Sequence, residues 1–370
     1  MNTTPEKSKR FEFIDQFRGF MSILMLLGHS SYYINSVWRY LDPLDPIFTS
    51  WRQYILRYLG YLCAPGFLMM NGAMMWWSYQ KRKIKGASNG DIRWHFIQRG
   101  LFLVLLQLTW VNSSWSGFAR IDLVHLGIIS SIGISMILLS IIIHLKLWIR
   151  LTVAVFLLLI HPFLLQIHYD PNSTWQMTVM QTFIDAGEFN KYPVLPWFAM
   201  GILGSVMASG WLIAWKGDKK KIIMSLGIAF IAFIVAIGIR MGRGFGNIFP
   251  FSEFGSYSFF IDQKYPPSLF HNIWFFACVL TGVSLFIILD KYIPKVMGII
   301  GIVGKAPLFF YCIHLAILGI FIKRLDLYYR LGDVPETLIG AAVLLPIMLF
   351  LSAWFWKVKQ KSSNFIIKMI

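Results

Sequence analysis

Three side chains near the start of the chain have types and spacing suited to acid–base chemistry. Asp15, Arg18 and His29 are set in Phe13-Ile14-Asp15-Gln16-Phe17-Arg18-Gly19-Phe20, running on to Gly28-His29. Arg18 and His29 are eleven residues apart, almost three helical turns, so on a helix they share a face at about 16–17 Å along the axis. Asp15 and Ser22, three before and four after Arg18, fall on that face as well. An imidazole titrates near neutrality, so His29 suits proton abstraction from an attacking hydroxyl or amine, and it can itself be acylated first. The spacing does not separate these two routes. The plainer alternative is an interfacial Asp15–Arg18 pair and a histidine that hydrogen-bonds a neighbouring helix. Four polar groups aligned inside an apolar segment favour a functional stripe, because charge is costly there.

The elements that carry this stripe follow from composition. Of 370 residues, 57% are hydrophobic and 14% charged, against about 25% charged in soluble domains. Nucleic-acid binding, disorder and a disulfide scaffold are excluded as primary readings, and an all-α polytopic membrane protein remains. Ten segments have the length and apolarity of a span: 14–37, 52–80, 94–112, 120–143, 148–167, 192–215, 220–240, 267–290, 298–322 and 336–357. With both termini cytoplasmic, the inner segments hold 20 basic and 4 acidic residues and the outer segments 11 of each. The net charge of +17 is therefore mostly topology, as the positive-inside rule requires. The chain reads as cytoplasmic tails 1–13 and 358–370 around one transmembrane domain, 14–357. Its first span is retained, since it is too long for a signal peptide and no small-residue cleavage site follows.

Cys63, Cys278 and Cys312 all lie within spans and read as packing residues; neither a disulfide nor a metal site is expected. Trp38, Trp51, Trp76, Trp77, Trp148, Trp197 and Trp356 fall at span ends, as an aromatic belt would. The sequence has no Walker A loop, no H-E-x-x-H and no G-x-S-x-G elbow, so a nucleotide-driven pump, a zinc protease and a serine hydrolase of that class lack support.

The Arg-x10-His spacing resembles the signature of the acyltransferase-3 family, and the wider pattern is similar to bacterial relatives of heparan-α-glucosaminide N-acetyltransferase. Further similarities follow in order: Ala64-Pro65-Gly66-Phe67 with Asn71-Gly72, Gln98-Arg99-Gly100-Leu101, Asp122-Leu123-Val124-His125-Leu126-Gly127, Leu195-Pro196-Trp197-Phe198 with Gly201 and Gly204, Tyr265-Pro266-Pro267-Ser268-Leu269, and Gly304-Lys305-Ala306-Pro307 through Tyr311-Cys312-Ile313-His314. The chain departs from the lysosomal branch, which has asparagine where His29 stands and its histidine further on. No histidine lies between Ser30 and His95, so the chemistry follows the Arg-x10-His pattern.

The resemblance implies an acetyltransferase in a bacterial cytoplasmic membrane. It implies acetyl-CoA as co-substrate on the cytoplasmic side, no metal, an extracytoplasmic sugar or glycolipid acceptor, and a homodimer as one assembly. His29, with Asp15 and Arg18, is the expected catalytic group. Arg18, Arg93, Arg99 and Lys305 are candidates for the donor phosphates, although a lysine such as Lys305 also snorkels to an interface. Asp122 and His125, three residues apart at the expected start of a helix, suit acceptor binding; alternatively Asp122 orients His125 or caps the helix. Asn71, Tyr265, Ser268 and His314 complete the candidate acceptor side, with no role for His314 apparent. The competing class is a solute transporter without covalent chemistry, against which stands the lack of an internal repeat.

Overall fold

The computed structural model describes residues 11–42 and 47–370, all-α apart from isolated bridges. In chain order the helices are α1 (Glu12–Ile34), α2 (Trp51–Tyr61), α3 (Cys63–Ile84), α4 (Asn89–Leu106), α5 (Asn112–Trp115), α6 (Ile128–Ile142), α7 (Leu147–Leu164) and α8 (Thr174–Phe183), followed by α9 (Val194–Ser209), α10 (Asp218–Met241), α11 (Tyr257–Phe260), α12 (Leu269–Tyr292), α13 (Pro294–Gly304), α14 (Pro307–Ile317), α15 (Val334–Lys361) and α16 (Phe365–Met369). The amino-terminal tail lies, up to Arg10, outside the described residues.

Among the described residues, six segments are long and apolar enough to cross a membrane: Leu147–Leu164, Val194–Ala214, Asp218–Met241, Leu269–Tyr292, Pro307–Arg324 and Val334–Lys361. Together they make a polytopic membrane protein. Helices α1, α3 and α4 have 23, 22 and 18 residues but are less apolar, interrupted by polar side chains such as Gln16, Asn71 and Gln98. Three expected spans differ from the sequence reading, each for a local reason. The segment 52–80 breaks at Leu62, because Pro65 has no N–H to offer the carbonyl of Tyr61. The segment 298–322 breaks at Lys305–Ala306, because Pro307 pushes Ala306 out of helical geometry (φ −140°, ψ 55°). Residues 120–127 are not helical. Asp122 instead accepts from its neighbour's N–H at Val124 (3.1 Å), and the Asn112 side chain donates to the carbonyls of Asp122 and His125. These local bonds compete with helix formation.

Helix α1 runs through the centre, packed against α13, α15, α3, α12 and α14, while α3 lies on α9, α4 on α6 and α10 on α12. Backbones approach closely at several helix crossings, those of α1 with α13 and of α3 with α9 among them. A side chain at Gly304 would collide with the carbonyl of Asp15, and one at Gly204 with that of Met69, so glycine is required at both. The Val194–Ala214 segment is 72% buried, whereas α7, α10 and α15 are only 22% buried. Their outer faces expose Phe230, Val343 and Phe350, as a lipid-facing surface does. Two expected belt residues are core residues instead: Trp197 and Trp76 are buried. Arg150, counted among the inner-loop charges, is buried in α7, where it donates to the carbonyl and hydroxyl of Ser205.

Ends rich in cations lie together. At one end Gln16 donates to Asp290 (2.5 Å), Lys221 sits over the Phe13 ring and Arg99 donates to the Met369 carbonyl. At the other, Gln53 donates to Asp333, Arg330 to the Trp38 carbonyl and Ser36 to the Gly332 carbonyl. The loop between α10 and α12 belongs to this second end and is wound around Arg240. That guanidinium, fully buried, donates to the carbonyls of Phe249, Ser258, Phe259 and Ile261 and to Asn247 Oδ1, and pairs with Asp262 at 3.4 Å.

Candidate active site

A cavity of about 1130 Å³ runs alongside α1, lined by Arg18, Arg99 and Lys305 near the cation-rich end and by Trp38, Arg57, Lys191 and Lys264 near the other. It is large enough for an extended ligand, since drug-sized pockets span roughly 300–1,000 Å³. His29 lines it between the two groups, half-buried, on the face α1 shares with Arg18.

The hydrogen bonds behind His29 fix which of its nitrogens carries the proton. His314 is fully buried in α14, and its Nδ1 lies 2.6 Å from the Phe310 carbonyl. A carbonyl only accepts, so Nδ1 of His314 bears the hydrogen and its Nε2 accepts when the ring is neutral. That Nε2 lies 2.8 Å from Nδ1 of His29. His29 must therefore donate from Nδ1, which leaves its Nε2 with a free lone pair. The rings of Trp115 and Tyr311 stand edge-on to the imidazole at 5.1 and 5.7 Å and restrict its rotation. His314, without an apparent role in the sequence, is thus the partner that orients His29.

Arg18 lines the cavity and pairs with Asp15 at 3.8 Å. Asp15 itself is buried and not part of the lining. Ser22 departs from the expected stripe: its hydroxyl donates back to the Arg18 carbonyl at 3.0 Å and it is fully buried. Arg99 and Lys305 line the cation-rich end, Arg99 meeting a carbonyl, that of Met369, at 3.4 Å. Three cations at one mouth suit an anionic ligand. Arg93 does not join them; it is exposed on the outer side of α4.

Asp122 and His125 both line the far rim, where Nδ1 of His125 donates to Asp122 at 2.7 Å. The contact comes from a loop rather than from the helical spacing expected. Burial is the largest single influence on the Asp122 carboxyl and raises it, but the hydrogen bonds from His125 and the Val124 N–H together outweigh it and hold the carboxyl below its usual range. A turn with i→i+5 bonds over Gln107–Val111 brings Gln107 and Asn112 together at 2.8 Å, and both line the cavity. Asn71 and Tyr265 line it as expected, Tyr265 sharing a hydrogen bond with the Tyr192 hydroxyl at 3.0 Å. Ser268 does not: its hydroxyl accepts from the His271 N–H and caps α12. The sequence reading passed over Lys264 and Asn112. Each sits in a loop or at a broken helix, where periodicity carries no signal.

Residues 10–243 match the family described as heparan-alpha-glucosaminide N-acetyltransferase, catalytic. The match covers Arg18, His29, Asn71, Arg99, Asp122 and His125, while Tyr265, Lys305 and His314 lie beyond it. No curated protein matches the chain.

Proposed function

The chain belongs to the heparan-alpha-glucosaminide N-acetyltransferase catalytic family, and from that premise we propose that it moves an acetyl group from acetyl-CoA to an amine or hydroxyl of a sugar or glycolipid. In this reading the chain has ten spans with both termini in the cytoplasm, so that the mouth lined by Arg18, Arg99 and Lys305 faces the inside of a bacterial cell and the far rim faces outward. The donor then enters past Arg18, Arg99 and Lys305, and the acceptor arrives past Asp122 and His125.

The observation that carries this reading is the chain from the Phe310 carbonyl through His314 to His29, which leaves Nε2 of His29 unprotonated beside the cavity. In direct transfer, Nε2 takes the proton of the acceptor amine or hydroxyl as that nitrogen or oxygen bonds to the thioester carbonyl carbon. The C–S bond breaks, the departing sulfur takes the proton from His29, and the imidazole is restored. The same lone pair would serve an acyl-histidine route, in which Nε2 itself attacks first. A transporter needs no imidazole held in one tautomer, so this geometry favours chemistry over passage.

Replacing His29 by alanine tests the assignment. Acetyl transfer by purified protein is expected to fall by at least about 10³-fold, within the range for a lost general base or nucleophile, with thermal stability and CoA affinity retained. Full activity in His29→Ala would overturn it.

A further inference from the structure

The far end of the cavity is lined by Arg57, Arg120, Lys191, Lys264 and Lys323 against two acids, Asp122 and Glu188. Arg120 faces Asp122 at 3.9 Å, and Lys323 donates to the Trp115 carbonyl at 3.0 Å. Lys264 is treated differently. It is only 7% exposed, yet no carboxylate lies within ion-pairing distance of Nζ among the described residues. Nζ donates to the carbonyl of Gly60 at 3.3 Å and rests over the rings of Tyr61 and Tyr265 at 5.0 and 5.1 Å.

Sequence proximity makes this more pointed. Asp262 is two residues away, but it is committed to Arg240 and to the N–H groups of Ile248 and Phe249. The same knot holds the loop that presents Lys264, so its backbone is anchored at the cavity wall. A buried charge without a counterion costs several kcal/mol in general, and a cation on a cavity wall recovers that cost when a ligand brings the opposite charge.

We infer that this chamber is an anion subsite: the acceptor carries a phosphate or carboxylate that Lys264 neutralises while its amine or hydroxyl faces His29. The inference rests on the acetyl-transfer reading and narrows its acceptors to acidic sugars.

Binding of glucosamine, glucosamine 6-phosphate and muramic acid to full-length His29→Ala protein, in an uncharged detergent and with desulfo-CoA at saturation, tests the subsite. At least one of the two acidic sugars is expected to bind about tenfold tighter than glucosamine, in keeping with a hydrogen-bonded charge pair. Which of the two gains identifies phosphate or carboxylate. The preference is expected to shrink to under about twofold in Lys264→Gln and to persist in Lys264→Arg, as a point-charge contact requires. Equal binding of the three sugars, a preference that survives Lys264→Gln, or competitive displacement of the acidic sugar by desulfo-CoA would each overturn the subsite. If Lys264→Gln does not fold, Lys191→Gln decides: a roughly threefold loss of preference supports the chamber, as a peripheral charge should, and an unchanged preference overturns it. Parallel transfer assays on the His29 protein separate the two ideas. A charge preference without transfer to any acceptor defeats the acetyl-transfer reading, and transfer without charge preference defeats the subsite.

Discussion

Arg240 and Lys264 are both buried cations at the same end of the molecule, and their surroundings could hardly differ more. Arg240 is fully buried, donates to four backbone carbonyls and to Asn247, and pairs with Asp262, itself bonded by three N–H groups. Lys264 has one carbonyl, two aromatic faces and an opening onto the cavity. The first is a saturated knot that shapes a loop; the second is a charge left over for something else. A like contrast separates two histidines. His161 bonds the Ile184 carbonyl at 2.7 Å and ties α7 to the loop after α8, away from the cavity lining. His29 spends one nitrogen on His314 and presents the other to open space. In these two pairs the saturation of a buried polar group, rather than its residue type, separates scaffold from site.

The largest effect that would test this contrast is loss of the knot. Arg240→Met leaves Asp262 buried without its cation, at a cost of roughly 3–5 kcal/mol. The expected result is a sharply lowered apparent Tm, or failure to purify as a monodisperse species, with acetyl transfer lost along with the fold. Arg240→Met combined with Asp262→Leu should recover part of that loss, because the uncompensated carboxylate is gone. Lys264→Gln, by comparison, is expected to leave the Tm near wild type. Equal destabilisation by Arg240→Met and Lys264→Gln would erase the distinction.

What was legible in the sequence divides along the same line. Asp15, Arg18 and His29 were recoverable because they sit on one unbroken helix, where spacing alone decides which side chains share a face. His314 was visible as a residue but not as a partner, because it lies 285 positions from His29 and only tertiary packing brings α14 against α1. The Asp122–His125 contact was expected for the wrong reason: local bonds from Asn112 and Val124 hold a loop where helical spacing had been assumed. Lys264 was one of many outer cations, and its lack of a carboxylate is a fact of three dimensions alone. Ser22 and Ser268 read as site residues because a hydroxyl in sequence does not reveal whether it is spent on its own helix.

A middle-sized effect probes the orienting bond. His314→Leu removes the acceptor for Nδ1 of His29, so the imidazole samples both tautomers and more orientations. The turnover number is expected to fall about 10²-fold, at the low end of what a positioned base contributes, with KM for acetyl-CoA and the Tm little changed. His314→Gln, whose side-chain oxygen can accept the same hydrogen, is expected to retain more activity than His314→Leu. Equal losses in His314→Leu and His314→Gln would mean that packing, not the hydrogen bond, is what His314 provides.

The smallest expected effect lies at the exposed rim, where the contrast between spent and unspent groups should fade because water satisfies either kind. Asp122 accepts from His125 and from the Val124 N–H, and both bonds hold its carboxyl below the usual range despite the opposing effect of burial. A carboxyl lowered in the folded state adds stability above its unfolded pKa, near 4, and loses it as pH falls through the lower folded value. Exposure and salt screening should keep that contribution under about 1 kcal/mol. Wild-type and Asp122→Asn protein should therefore show parallel Tm curves from pH 8 to about pH 5, with a small constant gap, and converge only in stronger acid. A gap that closes between pH 7 and 5 would assign the titration to an imidazole instead. If Asp122 also holds His125 for the acceptor, Asp122→Asn raises the acceptor KM by only a few-fold and leaves that for acetyl-CoA unchanged, as a solvent-screened contact should.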